Sequence, residues 1–313
     1  MSLLTKAILL TTACLALSIV TTAPRVLSQS PPSNTGQTDQ DQDDVLRIST
    51  DLVVLNVTVL DANGKFVSGL RRGDFQILED QKEQTISAFG AEQTPFAAAI
   101  LLDTSGSMES RMTLARSAAI RFLDGLREED VAAVYSFDTK VEQWNDFSPG
   151  RDLPARIYGL KTRTLTALND AILRAADDLA KREEKRRAIV VLSDGGENFS
   201  KVSADKALDH ASAAGATIYG ANMAPTGAAR DIAGVAILKR LADKSGGRYI
   251  DQPGGQNLRD AFAEIVEELG RQYTIAYRPT NRAKDGKWRA IDVKLSRPDA
   301  TVRTRKGYRA PKA

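Results

Sequence analysis

Leu55, Val57 and Val59 alternate with Asn56 and Thr58, the period of two that turns one face of a strand toward a core and the other toward water. Asp61-Ala62-Asn63-Gly64 then predicts a turn, and Phe75-Gln76-Ile77 resumes the β pattern. A second turn at Glu79-Asp80-Gln81-Lys82 is expected to fold Thr85-Ile86-Ser87-Ala88-Phe89 back as the other arm of a hairpin. From residue 96 the pattern changes. Residues 96–102 are continuously apolar, as a strand covered on both faces must be, and Met112, Ala115, Ala119, Phe122 and Leu126 then share one helix face. Strand and helix patterns keep alternating: residues 131–137, the helix face of Leu168, Ile172, Ala175 and Leu179, then residues 188–192, 206–213, 216–220 and 232–244. A short strand around Arg248-Tyr249-Ile250 and a helix over residues 258–269 close the series, which predicts a doubly wound, mostly parallel α/β sheet.

After Gly270 the β pattern returns, with Tyr273, Ile275 and Tyr277, then Ile291, Val293 and Leu295, then Val302 and Thr304 in alternation. Strands need partners, and the economical arrangement pairs residues 45–92 with residues 272–313 in one β-sandwich-like module. The α/β domain of residues 93–271 is then inserted into it, which is topologically cheap because the two ends of a domain often lie close together.

The first 28 residues read as an export signal, with Lys6 before an uncharged run over residues 7–20 and small residues after it. Export to the periplasm or the outside is therefore expected, with an uncleaved N-terminal membrane anchor as the alternative. Residues 29–44, Q-S-P-P-S-N-T-G-Q-T-D-Q-D-Q-D-D, offer nothing apolar to bury and read as a disordered linker. Cys14, the sole cysteine, lies in the signal, so removal of that segment excludes disulfides, thiolate catalysis and cysteine-ligated zinc. With 43 Lys+Arg against 40 Asp+Glu, the net charge of +3 gives no field suited to nucleic acid. Residues 271–313 are locally basic, their acids being Asp285, Asp292 and Asp299 alone, which suggests at most weak contact with anionic envelope polymers.

Candidate chemistry sits where the strand over residues 96–102 ends, because an open parallel sheet binds ligands beyond the carboxyl ends of its strands. In an extended loop Asp103, Ser105 and Ser107 point the same way and can offer three oxygens to one point, with Gly106 allowing a tight turn between them. A carboxylate with hydroxyls suits a hard cation such as Mg²⁺, Mn²⁺ or Ca²⁺ and argues against zinc or copper. Asp103-Thr104-Ser105-Gly106-Ser107-Met108 resembles the opening of the metal-ion-dependent adhesion site of von Willebrand factor A domains. Thr166-Ala167-Leu168-Asn169-Asp170-Ala171-Ile172 resembles the segment supplying that family's threonine ligand, and Val191-Leu192-Ser193-Asp194-Gly195-Gly196 the strand end supplying a second aspartate.

The resemblance implies one divalent cation held by Asp103, Ser105, Ser107, Thr166 and Asp194, with Mg²⁺ first. It also implies a partner protein presenting Asp or Glu to an open position of the ion. Thr164-Leu165 stands where the family usually has two glycines, which leaves Thr162, Thr164 and Thr166 open as the threonine ligand. Thr166 is preferred because it falls where an N-cap would begin the helix of residues 168–179. The flanking stretches 57–65, 73–80 and 273–279 resemble the VWFA-related group of exported bacterial proteins, frequent in acidobacteria.

Catalysis has little footing in the sequence. A phosphatase built on Asp103 would want a second carboxylate two residues on, where Ser105 stands. A serine hydrolase at Ser105 or Ser107 would need a base, and the single histidine, His210, falls on the solvent face of its helix. The expectation is thus a non-enzymatic binding module. An envelope structural component whose metal only stabilises the fold, or a metal-assisted hydrolase, are the alternatives.

Overall fold

The computed structural model describes residues 52–91, 94–162, 165–224, 232–251 and 255–312. The expected signal and linker, residues 1–44, lie outside the described residues, as do residues 45–51 of the expected β module. Residues Ile48–Ala313 form one compact unit.

Four strands precede the α/β series: β1 (Val53–Leu60), β2 (Phe75–Glu79), β3 (Lys82–Gln84) and β4 (Ile86–Gly90). Asp80 and Gln81 both take positive φ, 48° and 66°, as the two central residues of a tight hairpin turn must, and they close β2 onto β3. The hairpin is therefore shorter than expected. Its returning arm is Lys82–Gln84, whereas Ile86–Gly90 leaves for a different sheet, because Gln84 and Ile86 are buried on either side of Thr85 and the chain turns a corner there.

Next come β5 (Phe96–Asp103), α1 (Met112–Asp124), β6 (Val131–Phe137), β7 (Val141–Gln143), α2 (Leu168–Leu179) and β8 (Arg186–Ser193). The series ends with α3 (Ala204–Ala213), β9 (Ala216–Asn222), α4 (Ile232–Ser245), β10 (Tyr249–Ile250) and α5 (Gly255–Arg271). Their strands form one six-stranded sheet in the order β10-β9-β8-β5-β6-β7, parallel except for β7 at its edge. Helices cover both faces. Phe96, Ala98, Ile100 and Leu102 of β5 pack with α1 and α5, while Ala97, Ala99 and Leu101 pack with α2, α3 and α4. That two-sided burial is why β5 carries no polar residue until Asp103. The strand order runs outward from β5 through β6 and, in the other direction, through β8, so the switch point of the winding lies between β5 and β8.

The remaining strands, β11 (Tyr273–Tyr277), β12 (Trp288–Leu295), β13 (Thr301–Arg303) and β14 (Gly307–Arg309), pair with the first four. They make two four-stranded antiparallel sheets, β13-β1-β11-β4 and β14-β12-β2-β3, around a shared core of Leu55, Val57, Ile77, Ile275, Tyr277 and Val293 among others. Phe75, Phe89 and Tyr273 fill its end with ring centroids 5.3–5.8 Å apart. The fold is an α/β domain with a mixed sheet, inserted in sequence between β4 and β11 of a pair of antiparallel sheets packed on one core.

Two buried polar hubs join these parts. Arg186, the first residue of β8, is fully buried, and its guanidinium donates to the carbonyls of Leu269 (3.2 Å), Gly270 (3.1 Å) and Gln272, and to Thr274 Oγ1 (3.3 Å). It thus caps the C-terminal carbonyls of α5, which have no partner inside the helix, exactly where the chain passes into β11. Burial pulls this guanidinium down to about 10, so it stays charged at neutral pH. In the second hub, Glu268 of α5 accepts from Thr58 Oγ1 of β1 and Tyr219 OH of β9, both at 2.9 Å, and pairs with Arg303 of β13 and, at 3.4 Å, with Arg248.

Four arginines of the basic C-terminal region pair within the molecule, as Arg271–Glu267, Arg289–Asp285, Arg303–Glu268 and Arg309–Asp209. Among the described residues, no helix is long and apolar enough to cross a membrane. Arg186→Met should destabilise the chain by ~3–5 kcal/mol, since it strands several buried carbonyls, and urea unfolding followed by circular dichroism reads that loss. A loss under ~1 kcal/mol would mean that water replaces the guanidinium at the junction.

Candidate functional site

Asp103 ends β5 and is fully buried at the switch point. Its Oδ1 accepts the backbone N–H of Ser105 at 2.8 Å, which holds the loop in an extended turn, and Ser105 Oγ lies 3.1 Å from Ser107 Oγ. Ser105 is buried and Ser107 exposed, so the loop forms a floor and a rim. Across the switch point, Ser193 at the end of β8 donates from Oγ to Asp103 Oδ2 at 2.5 Å and accepts the Gly195 N–H at 3.0 Å. One hydroxyl therefore binds the β5 loop to the β8 loop. Gly195 can follow because its φ of +92° suits glycine, and a Cβ there would come within 2.8 Å of the Val235 nitrogen of α4.

Asp194, half-buried, is the next residue after Ser193 and stands beside Gly196, whose N–H donates to Asp194 Oδ1 at 3.2 Å. A Cβ on Gly196 would lie 3.3 Å from Thr166 Oγ1 and 3.5 Å from Asp194 Oδ1. The missing side chain at Gly196 is what lets both oxygens approach this stretch of backbone. Burial pushes the Asp103 carboxyl up to about 7, against the lowering effect of its bonds from Ser105 and Ser193, and the Asp194 charge pushes it further the same way.

The structure brings Asp103, Ser105 and Ser107 together on one loop and sets Thr166 against Asp194 on the neighbouring one. Thr164 lies outside the described residues, and Thr166 Oγ1 lies near the same side of Gly196 as Asp194 Oδ1. The expected N-cap role of Thr166 is corrected, however, because Ala167 occupies that position and makes no side-chain cap. Capping comes instead from across the loop. Glu197 Oε2 accepts the Asn169 N–H at 2.8 Å, Ser200 Oγ accepts the N–H groups of Asn169 and Asp170 at 3.0 and 3.2 Å, and Asn198 Oδ1 accepts the Thr166 N–H at 2.9 Å.

Ser193, Gly196 and the Glu197-Asn198-Ser200 brace had no assigned role in the sequence reading. Ser193 was open to discovery by parity, since it closes an apolar strand at the same level as Asp103, whereas the distant caps leave no local signal. His210 lies elsewhere, half-exposed on α3, with Nδ1 2.7 Å from Asp177 Oδ1 in a surface pair.

Residues 98–197, which run from β5 through the Asp194 loop, match the von Willebrand factor type A domain. The chain carries a von Willebrand factor type A domain. It is 28% identical over 148 residues to the inter-alpha-trypsin inhibitor heavy chain H3 of Rattus norvegicus, a match that covers 43% of this chain and 17% of that protein. The mouse protein is 26% identical over 149 residues with the same coverage, so the chain spans only about a sixth of the length of these relatives. Among solved structures, an aerotolerance-related membrane protein from Bacteroides fragilis is 22% identical, with 56% of this chain and 98% of that chain covered at a TM-score of 0.46. A von Willebrand factor type A protein from Catenulispora acidiphila is 14% identical, with coverage of 84% and 74% and a TM-score of 0.46. All the candidate site residues, from Asp103 to Asp194, fall inside the matched type A segment.

Ser200→Ala should cost ~1 kcal/mol by removing a cap from α2, as for any lost N-cap oxygen, and chemical denaturation measures it. An unchanged midpoint would show that Glu197 alone suffices.

Proposed function

We propose that the type A domain of this chain binds one divalent cation, Mg²⁺ first with Mn²⁺ or Ca²⁺ as alternatives, through Asp103, Ser105, Ser107, Thr166 and Asp194. We propose further that it uses the ion to capture a partner protein by an acidic side chain. The observation that carries this reading is that Thr166 Oγ1 and Asp194 Oδ1 both approach the same side of Gly196, 3.3 and 3.5 Å from where a Cβ would stand, while Asp103, Ser105 and Ser107 share the neighbouring loop. It is supported by the pairing of two carboxylates of like charge at a buried site, an arrangement that a cation between them would relieve.

The donor set fits a hard ion, being all oxygen, with two carboxylates to balance a divalent charge and hydroxyls for the rest. When bound, the ion supplies an electrophilic position facing outward, toward which a carboxylate from a partner is drawn. This chain's residues do the rest. Ser193 fixes the orientation of Asp103, and the Ser105 N–H holds its other oxygen, so the ligands are set before the ion arrives. Ser107 on the rim leaves the approach open from solvent.

The reading is of a binding module and not an enzyme, as the pairing of His210 with Asp177 at the surface favours. Export fits the charge and apolar pattern of residues 1–28, and places the partner in the periplasm or outside the cell.

Millimolar Mg²⁺ should stabilise the wild type against heat, by ~2.7 kcal/mol at a hundredfold excess over Kd, and Asp103→Ala should lose that shift. Equal shifts in the two proteins would sink the metal site. Gly196→Ala is a finer probe: its methyl would crowd Thr166 and Asp194, so the Mg²⁺ shift should shrink while stability without metal stays within ~1 kcal/mol. A metal-dependent shift without any chelator-sensitive capture of an acidic partner from envelope material would leave the ion a purely stabilising role.

A further inference from the structure

At the opposite end of the parallel strands from Asp103 and Asp194, a cleft of about 140 Å³ opens where the starts of β8 and β9 face β1. This is many times the roughly 10–15 Å³ that one water needs. Leu52, Val54 and Arg305 line it from the antiparallel sheets, and Lys185, Arg187 and the turn of residues 212–215 line it from the α/β domain. Its charged lining residues are all cations.

Two of these cations are held in place by the end of α3. Arg187 Nη1 donates to the Ala214 carbonyl at 2.7 Å, and Arg305 Nη1 donates to the Ser212 carbonyl at 2.8 Å. A bland account would stop there, since cations belong at the carbonyl end of a helix. It leaves too much unexplained. Arg187 Nε and Arg305 Nε are both buried without a hydrogen-bond partner, and Lys185 makes no ion pair among the described residues. The nearby acids face other groups: Glu184 is held by Arg182 at 2.8 and 3.1 Å, and Glu79 accepts from the hydroxyls of Tyr277 and Tyr308. Burial depresses both guanidiniums below the ordinary arginine range, and the charges of Glu184 near Arg187 and Glu79 near Arg305 offset this only in part.

We propose that this cleft is a binding site for a tetrahedral oxyanion, a phosphate or sulfate group, which Lys185 attracts as a point charge and the guanidiniums of Arg187 and Arg305 flank as fixed cations. Arginine donors with preset geometry and an adjacent ammonium are the usual means of holding such a group. Because the lining comes from both parts of the molecule, an occupied cleft also ties the α/β domain to the antiparallel sheets. The group can arrive as a free anion or displayed on a lipid headgroup, and the chemistry of recognition is the same.

The test follows the ³¹P resonance of inorganic phosphate titrated with the full chain at constant ionic strength. Saturable broadening is expected with the wild type, weakened about tenfold in Lys185→Gln and restored in Lys185→Arg, with Arg187→Gln as a second loss variant where it folds. Lys185 is partly exposed and unpaired, so its substitution leaves the fold intact, which circular dichroism checks. No broadening by the wild type, or equal affinity in wild type and Lys185→Gln, overturns the proposal. Sedimentation with phosphatidylcholine vesicles containing phosphatidic acid separates the sources: phosphate binding without pelleting assigns a soluble anion, and phosphate binding with Lys185-dependent pelleting assigns a headgroup.

Discussion

The guanidinium of Arg186 is the constraint around which the molecule is organised. A fully buried cation is costly unless its donors are satisfied, and here they are satisfied almost entirely by main-chain carbonyls at the passage from α5 into β11. The residue that opens β8 therefore also determines how the last helix hands the chain to the antiparallel sheets. Arg127 and Asp130 do similar work a few ångströms along. Asp130 accepts the Phe96 N–H at 3.1 Å and pairs with Arg127 at 2.7 Å, while Arg127 donates to the Thr94 carbonyl at 3.0 Å, so the start of β5 is anchored as firmly as the end of α5.

From those anchors β5 and β8 run side by side to the site. The same two strands that begin at the junction end in Asp103 and Ser193, and the hydroxyl of Ser193 closes the ladder with a hydrogen bond to the Asp103 carboxylate. Adjacent parallel strands have fixed spacing, so the relation between the two loops is set by the sheet and not by the loops themselves. Preorganisation of this kind suits a site whose ligands come from distant parts of the sequence.

Much of this was legible in the chain itself because the apolar patterns are strong. β5 could be recognised by its unbroken run from Phe96, and β1, β11 and β12 by their alternation. Three features escaped for physical reasons. β7, Val141-Glu142-Gln143, is a short edge strand with little to bury, so its backbone pairing with β6 has no side-chain signature. The corner at Thr85 looked like the arm of one hairpin because alternation shows which residues are buried and not which sheet buries them. The cap on α2 comes from residues 28–31 positions away, and no local helix-start rule can see it. At the candidate site, Asp103, Ser105 and Ser107 are readable as a spacing, whereas the approach of Thr166 and Asp194 to the same side of Gly196 is visible only in three dimensions.

The crossings between the two parts of the molecule have a mechanical consequence. The chain's own two passages, from β4 into β5 and from α5 into β11, are anchored at the starts of β5 and β8, by Arg127 on the Thr94 carbonyl and by Arg186 on those of Leu269 and Gly270, while Asp103 and Asp194 lie at the far ends of the same strands. A pull applied at the Asp103 loop and resisted through the antiparallel sheets runs along β5 and β8 lengthwise. The hydrogen bonds from Phe96–Arg186 to Leu102–Leu192 then share the load in shear instead of opening one after another, which makes the central pair of strands a tether as well as a scaffold.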